Sequence, residues 1–75
     1  MTYEEFKKIV VLDFKKTAKA EGQERIETCL KDNDDVIVNG YKYMLYSIER
    51  HECENTEAMW KSSASGVAYC LYMLC

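Results

Sequence analysis

The sequence predicts a small α+β domain in the order helix–helix–β-hairpin–helix, with a two-stranded antiparallel ribbon covered by helices. Three observations predict it. The stretch "VIVNGYKYMLYSIE", residues 36–49, sets an Asn-Gly pair between two apolar runs, the strongest short-range hairpin signal. Residues 2–20 and 55–75 carry apolar positions at helical spacing. Proline is absent and 48% of the residues are hydrophobic, which favours a packed core over disorder.

A chain of 75 residues makes one domain, here 1–75, and a small one. Domains of this size bury only about 60% of the surface their unfolded chain exposes. A well-used core, a staple or a partner must supply the rest.

The first helix, 2–20, opens with a capping box, Thr2 and Glu5, whose side chains each satisfy a backbone donor at the helix start. Phe6, Ile9, Val10 and Phe14 form its apolar face, with Tyr3 and Thr17 beside them. Asp13 falls inside that arc and is expected to be a satisfied structural carboxylate, paired with Lys16 or Thr17, or with Arg50 or Lys42 across the fold. Gly22 interrupts or ends the helix. A shorter helix over 22–31 follows, with Ile26, Cys29 and Leu30 as its stripe. "KDNDD" closes it, because Asn and Asp bond nearby backbone. This acidic run is no EF-hand loop: Ile37 and Tyr43 stand where glycine and glutamate are needed.

In the hairpin, Asn39-Gly40 would form a type I′ turn. Val36, Val38, Tyr41, Tyr43 and Leu45 would then share one face, and Ile37, Met44, Tyr46 and Ile48 the other. The last helix takes Asn55 or Thr56 as N-cap and Glu57 in its first turn. Trp60, Ala64, Val67, Leu71 and Leu74 make its apolar stripe. Tyr69, Tyr72 and Met73 point away from that stripe, so the last two turns are apolar all round, as in a buried helix. A strand over 67–74 is the alternative that so short an apolar run leaves open.

Little in the sequence suggests chemistry. His51 and Cys53 could both ligate zinc, but a structural site needs four ligands in close pairs and no second pair lies nearby. A cysteine nucleophile beside this single histidine would lack an orienting group and an oxyanion site. The expectation is a chain that is not an enzyme, with no catalytic residue, metal or cofactor. Four cysteines could form a disulfide framework, but Cys29, Cys70 and Cys75 fall within helical patterns and read as small apolar residues in the reduced state. The opening residues lack the pattern of a secretory signal, no apolar run approaches the roughly 20 residues that span a bilayer, and a cytoplasmic protein without membrane association is expected.

Net charge is −3, distributed unevenly, with the first twenty residues basic and 21–35 acidic. Lys8, Lys15 and Lys19 line one face of the first helix and could lie against phosphates, the runner-up reading of a nucleic-acid-associated regulator. The overall acidity, and Glu21, Glu24 and Glu27 on the second helix, weigh against a nucleic-acid partner. Tyr41, Tyr43 and Tyr46 could stack bases, but only Lys42 accompanies them. The leading expectation is a small non-catalytic interaction module, binding another protein or itself as a homodimer. Its contact residues would be Tyr41, Tyr43, Tyr46, Tyr69, Tyr72 and Met73.

Overall fold

The computed structural model describes residues 1–18 and 22–75, whose regular structure is entirely helical: α1 Tyr3–Thr17, α2 Gln23–Asp32, α3 Asp34–Glu49 and α4 Glu57–Leu74. The α+β class and the hairpin are therefore overturned, since no strand forms among the described residues. The segment 34–49 expected as a ribbon is a single helix of 16 residues.

The physical reason lies in two overlapping patterns. The apolar residues of 36–48 alternate as a strand requires, but Ile37, Tyr41, Met44 and Ile48 also recur at i, i+4, i+7 and i+11. The second pattern prevails because those four side chains meet the faces of other helices. Ile37 and Met44 are buried, and Tyr41 and Ile48 pack against the core. Asp34 and Asp35 occupy the first turn, where carboxylates favour the helix dipole. Asn33 serves as the end of α2 and the start of α3, its amide donating to the Cys29 carbonyl at 2.9 Å.

Gly40 has a different purpose from the one its neighbour Asn39 suggests. A Cβ built there would stand 2.5 Å from Val67 Cγ2 on α4. The residue is glycine because two helices cross closely, and its helical backbone makes no use of left-handed freedom. Gly22, with φ of +88°, does use that freedom where the chain enters α2.

The other helices keep most of their expected limits. The capping box is complete: Glu5 N–H donates to Thr2 Oγ1 at 3.3 Å and Thr2 N–H donates to Glu5 Oε1 at 3.2 Å. Thr56 caps α4, its hydroxyl accepting from Met59 N–H at 3.2 Å. The strand alternative for 67–74 is overturned with the hairpin, as α4 runs unbroken to Leu74.

α4 packs most extensively on α1 and also on α3, which touches α1 in turn. Phe6, Val10, Phe14, Ile37, Met44 and Leu71 are the large side chains fully enclosed among them. Trp60, Ala64 and Ala68 supply the inward face of α4, the two alanines letting α1 come close. Leu74, expected on the same stripe, is exposed. α2 joins this core through Ile26 and Cys29. Cys29 is bonded to Cys75 in a disulfide spanning 46 residues, with Cα atoms 6.1 Å apart, inside the range a bridge requires. The expectation of reduced thiols is corrected for Cys29 and Cys75, while Cys70 is free as expected; sequence separation hides a pair that only the return of α4 along α1 brings together. Among the described residues, no helix is long and apolar enough to cross a membrane.

Candidate functional site: the outer face of helix 4 and its groove against helix 3

From Ser62 to Cys75 the chain has no charged side chain. A helical repeat sets Ser62, Gly66, Tyr69 and Met73 along the side of α4 opposite its buried residues. Tyr69 is 61% exposed and Met73 66% exposed. An outward helix face without charge is unusual, because solvent-facing positions favour ionic side chains.

This face continues into a groove of about 670 Å³ between α3 and α4. Small residues, Ser62, Ser63 and Gly66, let solvent in, and Gly40, Tyr43, Met59 and Cys70 stand along the walls. A Cβ at Gly66 would meet no atom within 4 Å, so the groove is open there. Tyr43, 70% exposed, borders it from α3. The free thiols Cys53 and Cys70 both face this groove.

The six expected contact residues do not form one surface. Tyr43, Tyr69 and Met73 lie exposed, and Tyr72, 39% exposed, lines with Met73 a separate cavity beside Cys75. Tyr46 stands under Arg50, whose guanidinium lies 5.3 Å from the ring centroid and donates to the phenol oxygen at 2.6 Å. Its ring is thus engaged on one side. Tyr41 is turned toward α1. Its ring packs 5.4 Å from those of Tyr3 and Phe6, and its hydroxyl donates to the Met1 carbonyl at 2.9 Å. Without a sheet, Tyr41 and Tyr43 lie two residues apart on a helix, and so diverge.

Of the lysine stripe, Lys8 and Lys15 are exposed on α1, while Lys19 lies outside the described residues, as does Glu21 of the acidic set. Lys7, at the margin of the stripe, pairs with Asp34 at 3.2 Å. That contact holds the Lys7 ammonium above its ordinary pKa, chiefly through the hydrogen bond to Asp34. Burial raises the Tyr3 phenol, and the nearby Asp34 carboxylate adds to it.

His51 has a structural task. It sits at φ of +61° just after α3, donating its N–H to the Ile48 carbonyl at 3.0 Å while Glu52 N–H reaches the Ser47 carbonyl at 2.9 Å. These two bonds are a Schellman motif with histidine where glycine is usual. His51 and Cys53 border one shallow depression with Glu52 and Glu54. Among the described residues, no three histidine, cysteine or acidic side chains come together to hold a metal ion.

Asp13 is satisfied by a partner the sequence did not suggest. Its carboxylate accepts from the Ser65 hydroxyl at 2.7 Å, tying α1 to α4. Thr17 does contact it, but by donating to its backbone carbonyl at 3.0 Å. The groove itself had one signal in the sequence, the small residues at Ser62, Ser63 and Gly66, though its second wall depended on residues 34–49 being helical.

The chain matches no protein-family model, no curated protein and no solved structure.

Proposed function

We propose that this chain is a small non-catalytic interaction module that docks through the outer face of α4 and the groove beside it. The observation that carries the reading is the charge-free run 62–75 on a solvent-facing helix, with Tyr69 and Met73 standing clear of the core. Burial of such a face in a contact is favourable by about 25 cal/mol per Å² of apolar area removed from water. Aromatic and methionine side chains are enriched in interface centres, and charged ones are depleted there. The uncharged face also brings no like-charge repulsion when it meets a second copy, so homodimerisation is the first case to test. We place the module in the cytoplasm, where a disulfide is reducible rather than permanent.

Sedimentation equilibrium over a wide concentration range tests the reading. Gly66→Glu puts a charge into open groove space, and Tyr69→Ala with Met73→Ala removes the exposed side chains, all without touching buried residues. The expected result is a wild-type dimer that both changes weaken. If wild type and variants are equally monomeric, and capture the same proteins in a pull-down, the outer face of α4 is not a docking surface.

A further inference from the structure

The bridge between Cys29 and Cys75 does more than connect two helices. α2 has only ten residues, and its N-cap, Gly22, offers no side-chain hydrogen bond. Helices below roughly 12–15 residues are marginal in water without tertiary support. Its support is narrow: Ile26 and Cys29 are its buried residues, with Leu30 partly buried beside them. Arg25 donates to the Cys75 carbonyl at 2.7 Å, a bond that depends on Cys75 being held in place. Between α2 and the end of α4 lies a largely apolar cavity of about 220 Å³, lined by Phe14, Ile26, Cys29, Tyr72 and Met73 together with the Arg25 side chain. Packing against this helix is therefore incomplete, and the covalent link takes the role that contacts have elsewhere in the fold.

We propose that the Cys29–Cys75 disulfide is a thiol-reducible clasp on α2, whose opening frees that helix and the largely apolar cavity beside it while the α1–α3–α4 core stays folded. The two sulfurs differ in access, since Cys29 is buried and Cys75 is exposed. A low-molecular-weight thiolate attacks Cys75 Sγ, forming a mixed disulfide. The electron pair of the old bond leaves on Cys29 Sγ, which takes up a proton. A second thiolate attacks the reagent sulfur of the mixed disulfide, releasing Cys75 as thiolate and forming the reagent's own disulfide. Two reagent thiols are oxidised and one protein disulfide is reduced. The core has its own cohesion, because α1, α3 and α4 pack on one another in all three pairings, and among the described residues α2 makes no comparably extensive contact with any of them. This inference does not rest on the docking role of α4.

The test uses the full chain with Cys53→Ser and Cys70→Ser, which leaves only the bridged pair. Protein equilibrated in oxidised or reduced glutathione is digested with trypsin, and cleavage at Arg25 and Lys31 in α2 is followed by mass spectrometry. Cleavage of a transiently open segment tracks its open population, and reduction is expected to speed both cuts at least about tenfold. Far-UV ellipticity should meanwhile retain the contribution of the three longer helices. Equal cleavage in the two states overturns the proposal. So does loss of the whole helical signal on reduction, which would make the bridge a staple of the entire fold. Peptide mapping that finds no Cys29–Cys75 linkage in the oxidised protein overturns it as well. Cys75→Ser, at an exposed position, should behave as the reduced protein in both buffers; a surviving redox response in that variant would again refute the clasp.

Discussion

Replacing Gly40 by alanine separates the helical reading of residues 34–49 from a hairpin by the sign and the partner of its effect. In a helix the change gains about 1 kcal/mol of intrinsic propensity. Against that, the new Cβ would stand 2.5 Å from Val67 Cγ2. Val67 is β-branched and holds one χ1 rotamer in a helix, so it cannot swing aside freely. Relieving such an overlap costs about 2 kcal/mol, mid-range for overpacking. Gly40→Ala alone should therefore lose about 1 kcal/mol. In a Val67→Ala background both Cγ atoms are gone, and the remaining Cβ at 3.7 Å is in ordinary contact. There the same change should gain about 1 kcal/mol, a coupling of about 2 kcal/mol. Urea denaturation followed at 222 nm measures all four proteins. A type I′ turn predicts otherwise: alanine at positive φ is unfavourable in either background, and the coupling vanishes. Asn39→Ala adds a further arm, since it should gain about 0.5 kcal/mol on an exposed helix position and lose stability in a turn. Zero coupling, or stabilisation by Gly40→Ala alone, would refute the close α3–α4 crossing.

Two further expectations concern the helix ends. His51→Gly should raise the urea midpoint by the equivalent of about 0.5 kcal/mol, because glycine relieves the left-handed strain at φ of +61° but adds freedom to the unfolded chain; a fall would mean the imidazole contributes contacts of its own. Thr2→Ala should cost about 1 kcal/mol by uncapping α1, and no loss would deny the capping box. The hydrogen bond from Thr2 N–H, aided by the Thr2 hydroxyl, holds the Glu5 carboxyl below its ordinary value of 4.5. A lowered folded-state pKa means that this contribution is present above the ordinary value and is lost as pH falls through the lowered one. Stability measured from pH 6 to pH 3 should therefore fall less steeply in Glu5→Gln, and parallel acid limbs would contradict it.

Helix starts were legible because they are local. Thr2 with Glu5, and Thr56 ahead of Glu57, satisfy backbone donors within three residues of themselves, so the sequence neighbourhood contains the whole interaction. Gly22 was legible as a boundary for the same reason, its φ of +88° being a property of one residue, although α1 ends earlier, at Thr17, and Gly22 is the N-cap of α2. Phe6, Val10, Phe14, Trp60, Ala64 and Leu71 were also readable as inward faces, since one period described their segments. The exposed pair Tyr69 and Met73 followed from the same geometry, as residues left over when the inward stripe of α4 is drawn. Tyr41 did not, because its direction depended on whether residues 34–49 advanced by two or by 3.6 residues per repeat.

The sequence by itself determined where α1, α2 and α4 begin, which sides of α1 and α4 turn inward, and which outward residues are apolar without charge. Tertiary structure alone decided the form of 34–49, the open groove beside Gly66, the Asp13–Ser65 bond and the Cys29–Cys75 bridge. A segment with two valid periodicities is resolved by the partner surface that buries one of them, and that surface comes from α1 and α4. Gly40 shows the difference in one residue. Its local chemistry permits a tight turn, but the side chain it lacks is what lets Val67 approach, and Val67 lies 27 residues away.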